Sequence, residues 1–187
     1  RIAYGSVRGV TRVVGGTLDL ALAKLAPFLG ESVPGPERAA LLAVLNGVLG
    51  DWLAAANSPL AIPLRVRRHG DGKRVVILVH GSSMNEAQWS WRGHHHGEAL
   101  ARDQGFSLAT VHYNSGLPVL ENGRLLAKEL ESLADADELV IIAHSMVGLV
   151  VRAACHFAEA DARAWRKKLR TFITLGLDQP AGTYTCK

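Results

Sequence analysis

At 187 residues, 48% of them hydrophobic and 20% charged, the chain suits one globular domain with a substantial core and excludes a disordered one. The formal net charge of +4 is mildly basic. The clusters Arg65, Arg67, Arg68 and Arg163, Arg166, Lys167, Lys168, Arg170 read as solvated faces, because no aromatic residues interleave with them as a nucleic-acid stacking platform requires.

Cys155 and Cys186 are the only cysteines, so no disulfide framework or metal-ligand spacing is present and a reducing compartment is the default. No apolar run reaches the length of a membrane span, and Arg and Asp residues in the first thirty positions break up any signal-peptide core. The expectation is a soluble, cytoplasmic protein without stable membrane insertion. Its first residue is Arg1 and its last stretch, "AGTYTCK", has no periodicity, which suggests an excerpt or a truncated gene product.

In chain order, Val7, Val10, Val14, Leu18, Ala21 and Leu25 recur at helical steps, with Gly15 and Gly16 in the middle. Gly35-Pro36 supplies a cap and first-turn proline for a second helix with Leu41, Leu45, Val48 and Trp52 on one face, ended by Asn57-Ser58-Pro59. These helices form an N-terminal segment, 1–58, too small to bury its own apolar faces and expected to pack on the body, 59–187.

The body alternates strands and helices. "AIPLRVRRHG" leads through Asp71-Gly72, a hairpin-type turn, into "RVVILVHG". A helix from Gly97 to Gln104, the strand "SLATVHYN", a helix from Val119 to Leu133 and the strand "ELVIIAH" follow. A helix beginning at Met146 and the strand "TFITLG" complete the order. Continuous apolar strands separated by helices predict a three-layer α/β/α sandwich with a mostly parallel sheet.

Functional groups in such sheets gather at the carboxyl ends of the strands. Here those ends carry His80-Gly81-Ser82, Tyr113-Asn114 and Ser145. In "VIIAHSMVGLVV" the serine sits where a strand turns into a helix, as a nucleophile in G-x-S-x-G does, although Ala143 and Val147 replace both glycines. An oxyanion needs two backbone donors: the N–H of Met146 at the helix start, and the N–H of Ser82 after His80-Gly81. The competing reading of Ser145 is a helix N-cap. His94-His95-His96 reads as a solvent-facing loop and not a metal site, since adjacent side chains diverge and no partners stand at ligand spacing. Trp89 and Trp91 belong to the cleft or to the core.

The words "LVHGSSMNEAQW", "HYNSG", "ENGRLLA", "HSMVGLVVRAACH" and "FITLG", with "LNGVLGD" and "NSPLAIP" before them, make the chain resemble α/β-hydrolase-fold serine hydrolases. It is most similar among them to bacterial lipase-like hydrolases related to the GPI inositol-deacylase group. The resemblance implies an esterase or lipase type of carboxylic-ester hydrolase, with Ser145 as nucleophile, Ser82 and Met146 as oxyanion donors, no cofactor, and a small-molecule or lipid ester as substrate. It makes residues 59–187 a partial α/β-hydrolase core.

Two departures from the family pattern matter. Val147 stands where glycine lets the helix pass close to neighbouring strands, so a branched side chain is expected to distort the turn. No histidine follows His156, whereas the family's base comes near the C-terminus. Asp178 occupies a place where some lipases carry their acid, within Leu177-Asp178-Gln179-Pro180, which itself departs from the pattern. The sequence therefore implies an inactive or impaired hydrolase. A catalytically silent binding protein on the same fold, or a non-functional fragment, is the alternative. "TFITLG" is expected to end the sheet as an unpaired edge.

Overall fold

The computed structural model describes residues 35–176 and 183–184. The expected first helix, Asp178 and Cys186 lie outside the described residues. The chain divides into two units, Arg1–Ala39 and Ala40–Lys187, so residues 40–58 of the expected N-terminal segment group with the body.

In the first unit, Gly35 and Pro36 open a helix as expected, the Gly35 carbonyl accepting the Ala39 N–H at 3.1 Å. This helix, α1, runs Pro36–Ala55 and bends at Leu49 (φ −124°, ψ 16°). In the second unit, the stripe of Leu41, Leu45, Val48 and Trp52 is not the face that α1 buries. Ala43, Asn46, Gly50 and Leu53 are buried, while Leu41 and Val48 are 52% and 70% exposed.

Apart from Leu53, the buried face of α1 is small or polar, and loops of the body press against it. A Cβ on Gly50 would overlap the Asn114 side-chain oxygen, and one on Gly47 would stand 2.8 Å from the Ser83 Cα. Asn46 donates from Nδ2 to the Leu60 carbonyl at 2.8 Å and accepts the Ile62 N–H at 2.9 Å. By length and composition α1 is apolar enough to cross a membrane, which corrects the expectation that no apolar run is.

Strands β1 (Arg65–His69) and β2 (Arg74–Val79) are followed by a two-residue hairpin, β3 (Ser90–Trp91) and β4 (His94–His95). Then come α2 (His96–Gln104), β5 (Ser107–His112), α3 (Val119–Glu129), β6 (Glu138–His144), α4 (Val147–Ala160), β7 (Leu169–Leu175) and β8 (Thr183–Tyr184). The expected third helix ends earlier than Leu133, its last turn, Leu130–Leu133, tightening to a 3₁₀ helix. The main sheet has the order β1-β5-β2-β6-β7-β8. β5, β2, β6 and β7 run parallel, and β1 and β8 join antiparallel.

Two expectations are corrected here. Asp71-Gly72 does not close a hairpin, because β5 lies between β1 and β2 and pairs with both. The connection turns at Gly70 (φ 100°) and is tied to the start of β5, the Gly72 N–H donating to Ser107 Oγ at 2.8 Å. Nor is β7 an open edge: Phe172 and Ile173 pair with Tyr184 and Thr183.

Side chains of β2 alternate between two cores, as the pleat requires. Val75, Ile77 and Val79 join Leu126, Leu130, Val150, Val151, Ala154 and Trp165 on the α3 and α4 face. Val76 and Leu78 join Trp89, Leu108 and Ile142 on the other, where Gly97 of α2 sits so close that its Cβ would be 2.5 Å from Leu78 Cδ1. Helices on both faces of a mostly parallel sheet make the expected α/β/α sandwich. Trp89 is a core residue.

The histidine run is not an irregular loop. His94 and His95 form β4, and His95 Nδ1 accepts the Glu98 N–H at 3.1 Å, capping α2.

Candidate active site

The strands β5, β2, β6 and β7 all point their carboxyl ends to one rim, where four loops meet. β6 is apolar and buried through Ile141, Ile142 and Ala143, and α4 begins at Val147, so the chain must reverse within two residues. Ser145 makes that reversal with φ at +63°, a left-handed conformation that costs a serine of order 1 kcal/mol. Its N–H is held by the Leu175 carbonyl at the end of β7, at 2.6 Å. Strand, strained serine and helix form a sharp strand-to-helix elbow. The N-cap alternative lacks its defining bond: among the described residues no side chain caps the start of α4.

Val147 does not distort this turn. Its side chain is 2% exposed and packs within the core that includes Ala143, Val150 and Val151, while Ser145 keeps its left-handed φ. Helices α3 and α4 meet closely at Gly123 of α3, where a Cβ would stand 2.6 Å from Ala153 of α4.

The loop after β2 lies beside the elbow. A Cβ on Gly81 would be 2.9 Å from His144 Nδ1, and one on Gly176 (φ 69°) would be 3.4 Å from His144 Nε2. The His144 ring thus occupies a slot between two glycines, one on each neighbouring strand end. Its Nδ1 is buried without a hydrogen-bond partner among the described residues.

Backbone donors in the loop are allotted residue by residue. Gln88 Oε1 accepts the Gly81 N–H at 2.8 Å, and Ser115 Oγ accepts the Ser83 N–H at 2.9 Å. Ser83 itself has φ at +58°. The Ser82 N–H between them has no acceptor among the described residues, nor has the Met146 N–H. Neither Gln88 nor Ser115 was identified from the sequence. Both stand inside words that carry the resemblance, "LVHGSSMNEAQW" and "HYNSG", but side-chain bonds to single backbone N–H groups have no sequence signature, and that of Ser115 spans 32 residues.

His80 is 1% exposed and stacks on Tyr113 with ring centroids 4.6 Å apart. The Tyr113 hydroxyl donates to the His80 carbonyl at 2.9 Å. Burial pushes the His80 pKa down to about 4, because a charged imidazole loses its hydration there, so the ring is neutral at pH 7. Burial likewise raises the Tyr113 hydroxyl. The two rings and this bond tie the end of β2 to the end of β5.

Around Ser145 the surface is apolar: Met84, Met146, Leu149 and Leu175 are exposed. A cavity of about 570 Å³ opens elsewhere, between β1, β5 and α2, and is lined by Arg67, His69, Glu86, Glu98 and Thr110 but by none of Ser82, Ser145 or Met146.

Strand order, elbow and adjacent loop define an α/β-hydrolase-like architecture. No family model matches the chain, and no curated protein matches it. Among solved structures it is similar to Bacillus licheniformis lipase BlEst2, at 18% identity in both forms. The propeptide form has a TM-score of 0.48, over 61% of this chain and 25% of that one. The mature form has 0.47, over 61% and 46%. It is also similar to a hyperthermophilic esterase from the archaeon Pyrobaculum calidifontis, at 15% identity and a TM-score of 0.37, over 78% of this chain and 55% of that one. The match thus spans between a quarter and about half of those chains.

Proposed function

We propose that this protein is a serine hydrolase of the carboxylic-ester type, esterase or lipase, with Ser145 as nucleophile. The observation that carries the reading is the left-handed φ of +63° at Ser145 between β6 and α4, strain that a plain helix start does not need. In the reaction the serine oxygen attacks an ester carbonyl and the resulting oxyanion is bound by the N–H groups of Ser82 and Met146. The alcohol then leaves, and water hydrolyses the acyl-enzyme. Such acyl transfer needs no cofactor. The exposed Met84, Met146, Leu149 and Leu175 favour a small-molecule or lipid ester whose acyl part is apolar. A reducing, cytoplasmic setting suits Cys155, a buried free thiol.

The proton of Ser145 needs a base. His80 is buried and neutral, and no histidine follows His156, so the 187 residues hydrolyse esters weakly. Without a complete triad, an oxyanion hole and binding still give about 10³- to 10⁴-fold over water. Mass spectrometry after treatment with a fluorophosphonate at mildly alkaline pH is expected to find the adduct on Ser145 and none in Ser145→Ala. Aryl-ester turnover is expected to equal that of the alanine variant. An adduct elsewhere, or none, overturns the reading.

A second reading is a silent hydrolase-fold protein that keeps the exposed apolar surface of Met84, Met146, Leu149 and Leu175 for binding. It predicts saturable binding of a non-reactive ester analogue with no adduct at Ser145.

A further inference from the structure

We infer that Gln88 and Ser115 are positioning residues that aim the Ser82 N–H at the oxyanion, with α1 as the wall behind them. This rests on the proposed role of Ser145, Ser82 and Met146. A loop holding two consecutive serines after a strand has three N–H groups able to turn inward. Two of them are engaged by side chains, Gly81 by Gln88 at 2.8 Å and Ser83 by Ser115 at 2.9 Å. Those bonds flank Ser82 and fix both peptide planes beside it, so among the described residues its own N–H is the donor left for a ligand.

The anchors come from separate elements. Gln88 lies in the 3₁₀ helix Glu86–Trp89, whose Trp89 is in the core. Ser115 follows β5 and is buried. Its neighbour Asn114 donates to the Gly50 carbonyl of α1 at 2.8 Å, and Gly116 approaches α1 so closely that its Cβ would overlap the Asn46 carbonyl. Ser83 is pressed from the other side by Gly47, whose Cβ would overlap Ser83 Oγ. The loop therefore holds the left-handed Ser83 (φ 58°) between α1 and the Ser115 hydroxyl. An oxyanion donor works only when it is pre-aimed, since a displacement of about 1 Å can cost about a hundredfold in rate.

The test compares the full chain with Ser115→Ala, Ser115→Thr and Gln88→Ala, reading the rate of Ser145 phosphonylation resolved into the initial affinity for the phosphonate and the maximal rate. Ser115→Ala and Gln88→Ala are expected to lower the maximal rate by about 10- to 100-fold with the affinity unchanged. Ser115→Thr, which keeps the hydroxyl, is expected to restore it to within about threefold. A purely structural role would move thermal stability and affinity together and would not be rescued by threonine. An alanine variant as fast as the parent overturns the proposal while leaving Ser145 as nucleophile. If the parent itself fails to react, the nucleophile reading falls, and amide exchange at Ser82 and Ser83 decides the clamp: unchanged protection in Ser115→Ala overturns it as well.

Discussion

The Ser145 N–H donates to the Leu175 carbonyl at 2.6 Å, so the turn that carries the serine is fastened to the end of the neighbouring strand β7. This bond consumes the donor that a left-handed residue would otherwise leave bare at the sheet rim.

Because Ser145 has φ at +63°, Ser145→Gly relieves a conformation that glycine adopts freely. The variant is expected to be more stable than the parent by about 1 kcal/mol and to lose all phosphonate labelling. Ser145→Ala, equally unreactive, should show no such gain. Urea unfolding of the three proteins checks this, and a Ser145→Gly midpoint below the parent's would contradict the strain.

Val147 contributes packing and leaves the elbow intact. Val147→Gly removes a side chain that is 2% exposed and adds a flexible residue to the first turn of α4. The expected loss is about 2 to 4 kcal/mol, with phosphonylation of Ser145 within about threefold of the parent. A tenfold faster reaction would show that the valine does hold the serine out of place.

His80 makes the fold sensitive to acid. Its pKa is about 4 in the folded chain against 6.5 for the free group. As pH falls between those values the unfolded chain takes up a proton that the folded chain refuses, so stability falls with it. The loss approaches about 3 kcal/mol below the window and is absent above it. In His80→Gln the stability difference between pH 7 and pH 4 should shrink by that amount, as read from urea midpoints at several pH values. An unchanged pH profile would mean that His80 is protonated in the folded protein.

Gly47→Ala tests the wall formed by α1. An alanine inside a helix ordinarily gains up to about 1 kcal/mol over glycine. Here its Cβ would stand 2.8 Å from the Ser83 backbone, and backbone cannot swing aside as a flexible side chain does. The expected result is a loss of about 1 to 3 kcal/mol, measured by thermal or urea unfolding. A stabilised variant would mean that α1 and the loop separate readily.

The sequence by itself determined the α/β/α layering and the place of Ser145. Buried parallel strands read as continuous apolar runs such as "VVILV" and "LVIIA", and a serine between such a run and an apolar helix marks the turn. These are local signals, carried by the spacing of neighbouring residues. What only the tertiary structure decided depends on contacts between residues distant in the chain. Asp71-Gly72 looked like a hairpin because local turn chemistry cannot reveal that β5 will enter between β1 and β2. Leu41, Leu45, Val48 and Trp52 looked like the packed face of α1, because periodicity reports which face is apolar and not which face meets a crowded backbone. Val147 looked disabling by comparison with a glycine pattern, yet the fold buries it in one core with Ala143, Val150 and Val151, which a local pattern does not report. Gln88 and Ser115 were invisible for a related reason: a side chain that accepts one backbone N–H, seven or thirty-two residues away in the chain, leaves no periodic trace, and only folding brings it within 3 Å.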